Sequence, residues 1–368
     1  MSEIIKIKDV TRYLEDWAPL SYQESYDNAG LLTGDSTAAV TGILVTLDCT
    51  ESVVDEAIRL GCNCIVAHHP ILFKGLKKLT GANYVERTII KAIKNDVAIY
   101  AIHTNLDNVH TGVNKKICEK IGLIKTQVLV PKTDTLSKLL TFIPRENTSE
   151  VTAALHAAGA GQIGNYRNCS FQVQGVGTFM PMEGTNPHIG EQHKQTYVDE
   201  TRVEVVFPSY LKKTILEALR KAHPYEEVAY YILPLLNDNQ EIGSGMIGEL
   251  EDPMEPLEFL RSLKDKMNLN IVRYTMLPSK KVRKIAVCGG SGSFLLPKAI
   301  QSGADFFITA DFKYHEFFDA DGKITIADIG HYESEVFTKE LLVDVLMKKF
   351  HTFAINFSKT ATNPISYI

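Results

Sequence analysis

Residues 43–69 read ILVTLDCTESVVDEAIRLGCNCIVAHH, and this stretch decides the fold class. ILVTLD (43–48) and CIVAHH (64–69) are short β-branched runs that end in polar residues, with the helix-like ESVVDEAIRLG between them. A strand, a helix and a second strand in so short a span form a βαβ unit, which lays its strands parallel. TIIKAIKNDVAIYAIHTNLD (88–107) repeats the helix-then-strand order, so residues 1–128 predict a mostly parallel sheet.

The same unit recurs far along the chain. At an offset of 242 residues, ILVTLDCTES lies against IAVCGGSGSF and EAIRLGCNCIVAHH lies against KAIQSGADFFITAD. Ala57 and Ala299, Ile58 and Ile300, Gly61 and Gly303, and Asn63 and Asp305 fall in register, each set followed by an apolar strand. Two copies of one β-α-β unit are expected, with other material between them.

That intervening material has a different rhythm. LSKLLTFIP (136–144), CSFQVQGVGTFMP (169–181), TRVEVVFP (201–208) and VAYYILPLL (228–236) alternate like half-buried strands. The helix-like TSEVTAALHAAG and SYLKKTILEALRKAHP fall between them, giving the β-α-β-β-α-β order of a ferredoxin-like α+β domain. A polar stretch, LNDNQEIGSG (236–245), reads as the turn back to α/β character. The expected plan is an α/β domain split into residues 1–128 and 246–368 and interrupted by an inserted domain at 129–245.

At 368 residues the chain is too long for one small core. A net charge of −5 argues against general affinity for nucleic acid or for anionic membrane. No apolar run approaches the roughly 20 residues of a membrane helix, and MSEIIKIKDV lacks the apolar core of a secretory signal. Six cysteines without a framework spacing suit a reducing cytoplasm. Cys62 and Cys64 form a C-x-C pair inside an apolar run, where buried structural thiols are expected rather than ligands.

Three clusters carry candidate chemistry. His68 and His69 end one apolar strand, where a strand-to-loop junction can turn both rings into one cavity. His103 and Asp107 end another, in AIHTNLDN. His331 and Glu335 stand four apart at the start of a helix-like run, on one helix face and about 5–6 Å apart at Cβ. Taken singly, each has an ordinary structural reading: a core histidine, a loop histidine, a helix-capping glutamate. Together they offer imidazoles and carboxylates at converging strand ends, where open α/β sheets bind ligands. Nitrogen and oxygen donors without thiolate suit zinc, manganese, iron or another transition metal better than calcium. Other features are less specific. GGSGSF (289–294) reads either as an anion-contacting turn or as a tight strand-helix turn, and it matches no phosphate-loop pattern. Asp311, His315 and Glu316 either line the cleft or are solvated helix residues, and His223 reads as a helix cap.

DNAGLLTG (27–34), AHHPILFKG (67–75), HTNLDN (103–108) and GHYESE (330–335) together resemble the NIF-three-like proteins, also labelled GTP cyclohydrolase 1 type 2 homologues. The resemblance covers nearly the whole chain. It implies a pair of divalent metal ions held by His68, His69, Asp107, His331 and Glu335, a toroidal homohexamer, and an insertion similar to PII and CutA proteins. Tyr26 stands where the family usually has tryptophan before Asp27-Asn28, an exchange that keeps an aromatic ring. Two functions follow from this reading. One is a metal-dependent hydrolase acting on a nucleotide or similar small molecule, with His103 as proton carrier or ligand-orienting group. The other is a non-catalytic metal-binding scaffold or regulator whose inserted domain senses a ligand or partner.

Overall fold

The computed structural model describes residues 4–368. Of these, residues 4–131 and 240–368 form one compact unit, and residues 132–239 form a second.

The first unit holds two sheets. One has five strands in the order Gly30–Thr33, Ala98–Ala101, Cys64–Ala67, Gly42–Thr46 and Ala354–Phe357. Its last four pair in parallel, and Gly30–Thr33 joins Ala98–Ala101 antiparallel. The other sheet runs Arg273–Tyr274, Thr325–Asp328, Phe306–Ala310, Val282–Ser291, Asn239–Met254 and Ile124–Lys132. Its centre, Val282–Ser291 with Phe306–Ala310 and Thr325–Asp328, is again parallel.

Side-chain alternation explains how these sheets are covered on both faces. Ile43, Val45, Val66 and Tyr100 point into the same core as Ile285, Val287, Phe306 and Ile308, together with helices Val113–Ile121 and Thr338–Met347. The intervening Leu44, Ile65 and Ile99 point the other way, against helices Glu51–Arg59 and Tyr84–Lys94. Ala286, Cys288, Phe307 and Ile326 do the same in the second sheet. Parallel strands buried on both faces read as continuous apolar runs, which is the pattern seen in CIVA and FFITA. Each fully buried aliphatic side chain contributes about 1.5–3 kcal/mol, so the alternation itself fixes the layering.

The two copies of the repeat share local chemistry. Thr50 caps helix Glu51–Arg59 by accepting from the Val53 N–H at 3.4 Å, and the buried Ala57 lets the helix lie close to the sheet. Ala299 is equally buried in helix Leu296–Gln301. Beyond the two helices, Gly61 and Gly303 take φ of +69° and +72°, the left-handed exit that glycine adopts without strain.

In the second unit, Leu136–Pro144, Phe171–Phe179, Thr196–Pro208 and Tyr230–Leu235 form an antiparallel sheet. The order across it is Phe171–Phe179, Thr196–Pro208, Leu136–Pro144, Tyr230–Leu235. Helices Thr148–Ala157 and Lys212–Ala222 supply Val151, Leu155, Ile215 and Leu219 to a core under Leu139, Val203 and Phe207.

The unit is narrower than the 129–245 expected from the sequence. Ile124–Lys132 runs through its first boundary as a strand of the six-stranded sheet. The polar stretch expected as a turn is the start of strand Asn239–Met254. Gly243 allows that pairing, because a Cβ there would lie 2.1 Å from the Val130 carbonyl oxygen. Among the described residues, no helix is long and apolar enough to cross a membrane.

Candidate metal centre

The strand ends of the first unit converge on one cluster. The His68 and His69 amides donate to the Thr46 and Leu47 carbonyls at 3.1 and 2.9 Å, which extends the ladder one step beyond the strand. The backbone then leaves the sheet, and both rings face the same space with centroids 4.9 Å apart. His103 joins them, 5.4 Å from each ring, and His331 lies 5.3 Å from His69.

Each imidazole is oriented from behind. His68 Nδ1 donates to the Ile102 carbonyl at 2.8 Å, an oxygen that can only accept, so its Nε2 carries the free lone pair. His69 Nδ1 donates to Asp48 at 2.7 Å, and His331 Nδ1 donates to Asp311 at 2.6 Å. All three Nε2 atoms point towards Glu335. Oxygen partners on Nδ1 that aim Nε2 at a common point are how proteins orient metal-binding histidines.

Glu335, in the short helix His331–Glu335, is 3% exposed. Its Oε2 accepts from His69 at 2.9 Å and from His331 at 3.1 Å. Its Oε1 lies 3.9 Å from His68 Nε2, which also faces Asp107 Oδ1 at 3.7 Å. That last pair is telling: His68 Nε2 and Asp107 Oδ1 are both buried and, among the described residues, neither has a hydrogen-bond partner. Buried polar atoms are normally satisfied, and a cation between them would supply the missing partner. Donor atoms of His68, His69 and Glu335 lie within 4.8 Å of one another, so this buried cluster could hold a metal ion.

The electrostatics fit a cation as well. Burial and the negative charge of Glu335 push the Asp107 carboxyl well above the usual range. Burial alone would do the same to Glu335, but hydrogen bonds from His331 and His69 outweigh it and hold the carboxylate well below. Burial lowers His68. Burial also works against the charged form of His69, yet Asp48 and Glu335 outweigh it and raise the ring to about 10. His331 rises to about 9 in the same manner, through Glu335 and Asp311.

Several supports were not assigned a role from the sequence. Asp27 accepts from His103 Nδ1 at 2.7 Å, from the Thr104 amide at 3.0 Å and from the Thr104 hydroxyl. Burial is outweighed by His103 and these donors, and Asp27 is lowered to about 2. Asn114 Oδ1 accepts from the Gly289 amide at 2.9 Å while its Nδ2 donates to the Asp107 carbonyl at 3.0 Å, which ties the two halves of the unit together. Asp48 was legible only as the polar end of its strand.

The remaining candidates separate clearly. Asp311 is at the site, held at φ +59° immediately after strand Phe306–Ala310. Glu316 instead accepts from the Lys313 amide at 2.8 Å, and His315 packs with Tyr314 and Phe318. The GGSGSF glycines do not form an anion cradle: the Gly289 and Gly290 amides are taken by Asn114 and by Ser334 Oγ. They make room for Glu335, because a Cβ on Gly290 would lie 2.5 Å from its Oε1. Cys288 is buried beside the cluster, and burial together with Asp107 and Glu335 pushes its thiol up, away from a ligating thiolate. Cys62 and Cys64 are buried in two different cores, Cys64 with Ile43 and Val66 and Cys62 with Leu44 and Ile65.

The pattern of the Duf34/NIF3 (NGG1p interacting factor 3) family matches residues 5–364. The chain belongs to this family. Among curated relatives, this NIF3-family protein is 38% identical over 374 residues to a Bacillus subtilis protein, with all of both chains covered. It is 40% identical over 365 residues to one from Halalkalibacterium halodurans, covering 98% of each. Both relatives carry the name GTP cyclohydrolase 1 type 2 homolog. A solved Bacillus cereus protein related to NIF3 superposes over 100% of both chains, with a TM-score of 0.88 and 37% identity. The Staphylococcus aureus protein SA1388 does so with a TM-score of 0.80 and 32% identity.

Proposed function

We propose that this NIF3-family protein is a hydrolase dependent on two divalent metal ions, acting on a nucleotide or a similar small ring compound. One observation carries the two-ion reading. The two oxygens of Glu335 sort the donors into two sets, His69 and His331 on Oε2, His68 and Asp107 on the side of Oε1. One set would hold each ion, zinc or alternatively manganese or iron, with Glu335 between them. Ions at these positions would supply Lewis-acid chemistry, activating water and polarising a substrate oxygen.

The chain's own residues provide the rest. His103 donates its Nδ1–H to the Asp27 carboxylate in a hydrogen bond, which leaves Nε2 able to take up and return a proton. Asp27 stays ionised and holds that tautomer. Phe73 and Tyr26 stack with centroids 6.5 Å apart, and Phe73 lies 5.9 Å from His103. Both rings are exposed, at 48% and 64%, which suits the face of a planar heterocycle. The relatives' name supports a nucleotide as the first substrate to try.

The β-α-β-β-α-β order and antiparallel pairing of residues 132–239 support the ferredoxin-like reading of the insertion. The ring-shaped homohexamer implied by the resemblance is part of the same proposal, and light scattering of the purified protein tests it.

Turnover decides between enzyme and scaffold. A library of nucleotides and related metabolites, GTP included, is incubated with zinc-, manganese- and iron-loaded protein, with His68→Ala as control. Turnover that disappears in the variant and on chelation is expected. Metal-loaded protein that turns over nothing, yet loses a partner when residues 132–239 are removed, would make it a scaffold.

A further inference from the structure

The second unit contains a cavity of about 750 Å³, within the size range of small-molecule sites. It opens on the sheet face opposite the helices. Leu139, Val203, Val205 and Phe207 point into the helix-covered core, so Phe142, Glu200 and Arg202 point to the open side. Glu200 lies at its floor and is 8% exposed. Opposite it, Gly175 pairs with Glu200, and Gly177 leaves the carboxylate its room: a Cβ there would lie 2.0 Å from Glu200 Oε2.

The motif His223-Pro224-Tyr225-Glu226-Glu227 builds one wall. His223 caps helix Lys212–Ala222, but its ring does more. Nε2 donates to the Phe142 carbonyl at 2.9 Å, and Nδ1 accepts from the Tyr225 amide at 3.1 Å. Tyr225 is thereby fixed, and its hydroxyl donates to Glu200 Oε1 at 3.0 Å. Among the described residues, no protein hydrogen bond reaches Glu200 Oε2. Glu226 accepts from the Asn186 amide at 2.9 Å and tethers the loop that brings Met180, Met182 and His188 over the cavity.

The chemistry of this lining is one-sided. Glu200, Glu226 and Glu227 bring three carboxylates, and the one guanidinium, Arg202, is bonded to Glu204. The walls are apolar and aromatic, with Phe179 and Tyr225 edge to face at 5.9 Å. We propose that this cavity binds a small organic ammonium compound with an apolar body, its cationic nitrogen on Glu200 and its body against Phe179, Met180 and Met182. A buried carboxylate with a free oxygen calls for a cationic donor, and aromatic faces beside it favour an ammonium group. A bare divalent ion is a poor match, since it needs several oxygen ligands where the walls are hydrocarbon.

Phenethylamine is the probe, measured by calorimetry on the full-length protein, with 2-phenylethanol and 3-phenylpropionate as neutral and anionic counterparts. One phenethylamine per chain is expected, with both counterparts at least about tenfold weaker. Glu200→Gln should weaken the amine about tenfold or more and spare 2-phenylethanol. Should Glu200→Gln fail to fold, Met182→Lys, a charge placed on an exposed loop, should weaken the amine to a similar degree. Chelation of metal should leave amine binding unchanged. Equal binding of the three probes, equal binding by wild type and by the folded variants, or no amine binding at millimolar concentration would each overturn the assignment.

Discussion

Gly290 and Glu335 occupy one another's space: a Cβ at position 290 would lie 2.5 Å from Glu335 Oε1 and 3.2 Å from the His331 ring. The residue also has φ of +60°, where a side chain costs about 1 kcal/mol or more. Gly290→Ala should therefore act on the site rather than on the core. The expected result is a folded protein with a melting temperature a few degrees lower and metal affinity reduced at least about tenfold. Full metal content in the purified variant would remove the cradle role of Gly290.

Metal binding should release protons. His69 and His331 stand at about 10 and about 9 in the metal-free protein, so both are charged at pH 7.5. Ligation at Nε2 requires the neutral ring, and protons therefore compete with metal. Calorimetric titrations in buffers of different ionisation enthalpy should show at least about two protons released per fully loaded chain, with the raised Asp107 carboxyl able to add to them. Affinity should fall as pH drops from 8 to 6. A titration that shows no proton release and no pH dependence would mean that these two rings are not ligands.

Asp27→Asn tests the proton-carrier role of His103. The amide cannot hold the same charge opposite Nδ1, and the favoured tautomer is lost. Turnover of whatever substrate the screen returns should fall about 10²-fold or more, while metal content stays at the wild-type level. Loss of metal instead would show that His103 and Asp27 support the metal centre alone.

Glu56 should contribute to acid stability. It is buried and accepts from Ser358 Oγ at 2.5 Å, Thr360 Oγ1 at 2.7 Å and the Lys359 amide at 2.9 Å, anchoring the C-terminal segment to helix Glu51–Arg59. Burial would raise its pKa, but these bonds outweigh it and bring it to about 2 from 4.5. A carboxylate lowered in the folded state stabilises above its unfolded pKa and loses that contribution as pH falls through the folded one. Glu56→Gln should thus cost roughly 2–3 kcal/mol at pH 7. In urea unfolding the gap to wild type should narrow between pH 4.5 and pH 2. A gap of constant size over that window would show that Glu56 acts through packing alone.

The parallel centre of both sheets was legible because buried parallel strands are written as unbroken apolar runs, and CIVA and FFITA are such runs. The helix of each repeat was legible from its spacing, and the positive φ at Gly61 and Gly303 shows why glycine stands at both exits. Asn239–Met254 was not legible, since its polar first residues are held by strand pairing and a close backbone approach rather than by hydrophobic pattern. The histidine pair and the His331-Glu335 spacing were visible as local patterns. Asp311 was visible as one of two readings, a residue lining the cleft, whereas Asp48 and Asn114 reach the cluster only through the fold, by side-chain bonds between elements far apart in sequence. No local spacing signals that kind of support.

Metal stoichiometry tests the central claim most directly. Elemental analysis of the purified protein, loaded and then desalted, should give two divalent ions per chain. His331→Ala should retain the ion on the His68 and Asp107 side and fall to about one, whereas Glu335→Gln should lose both because each set shares that carboxylate. A wild type that holds a single ion, or a Glu335→Gln protein that keeps two, would contradict the account.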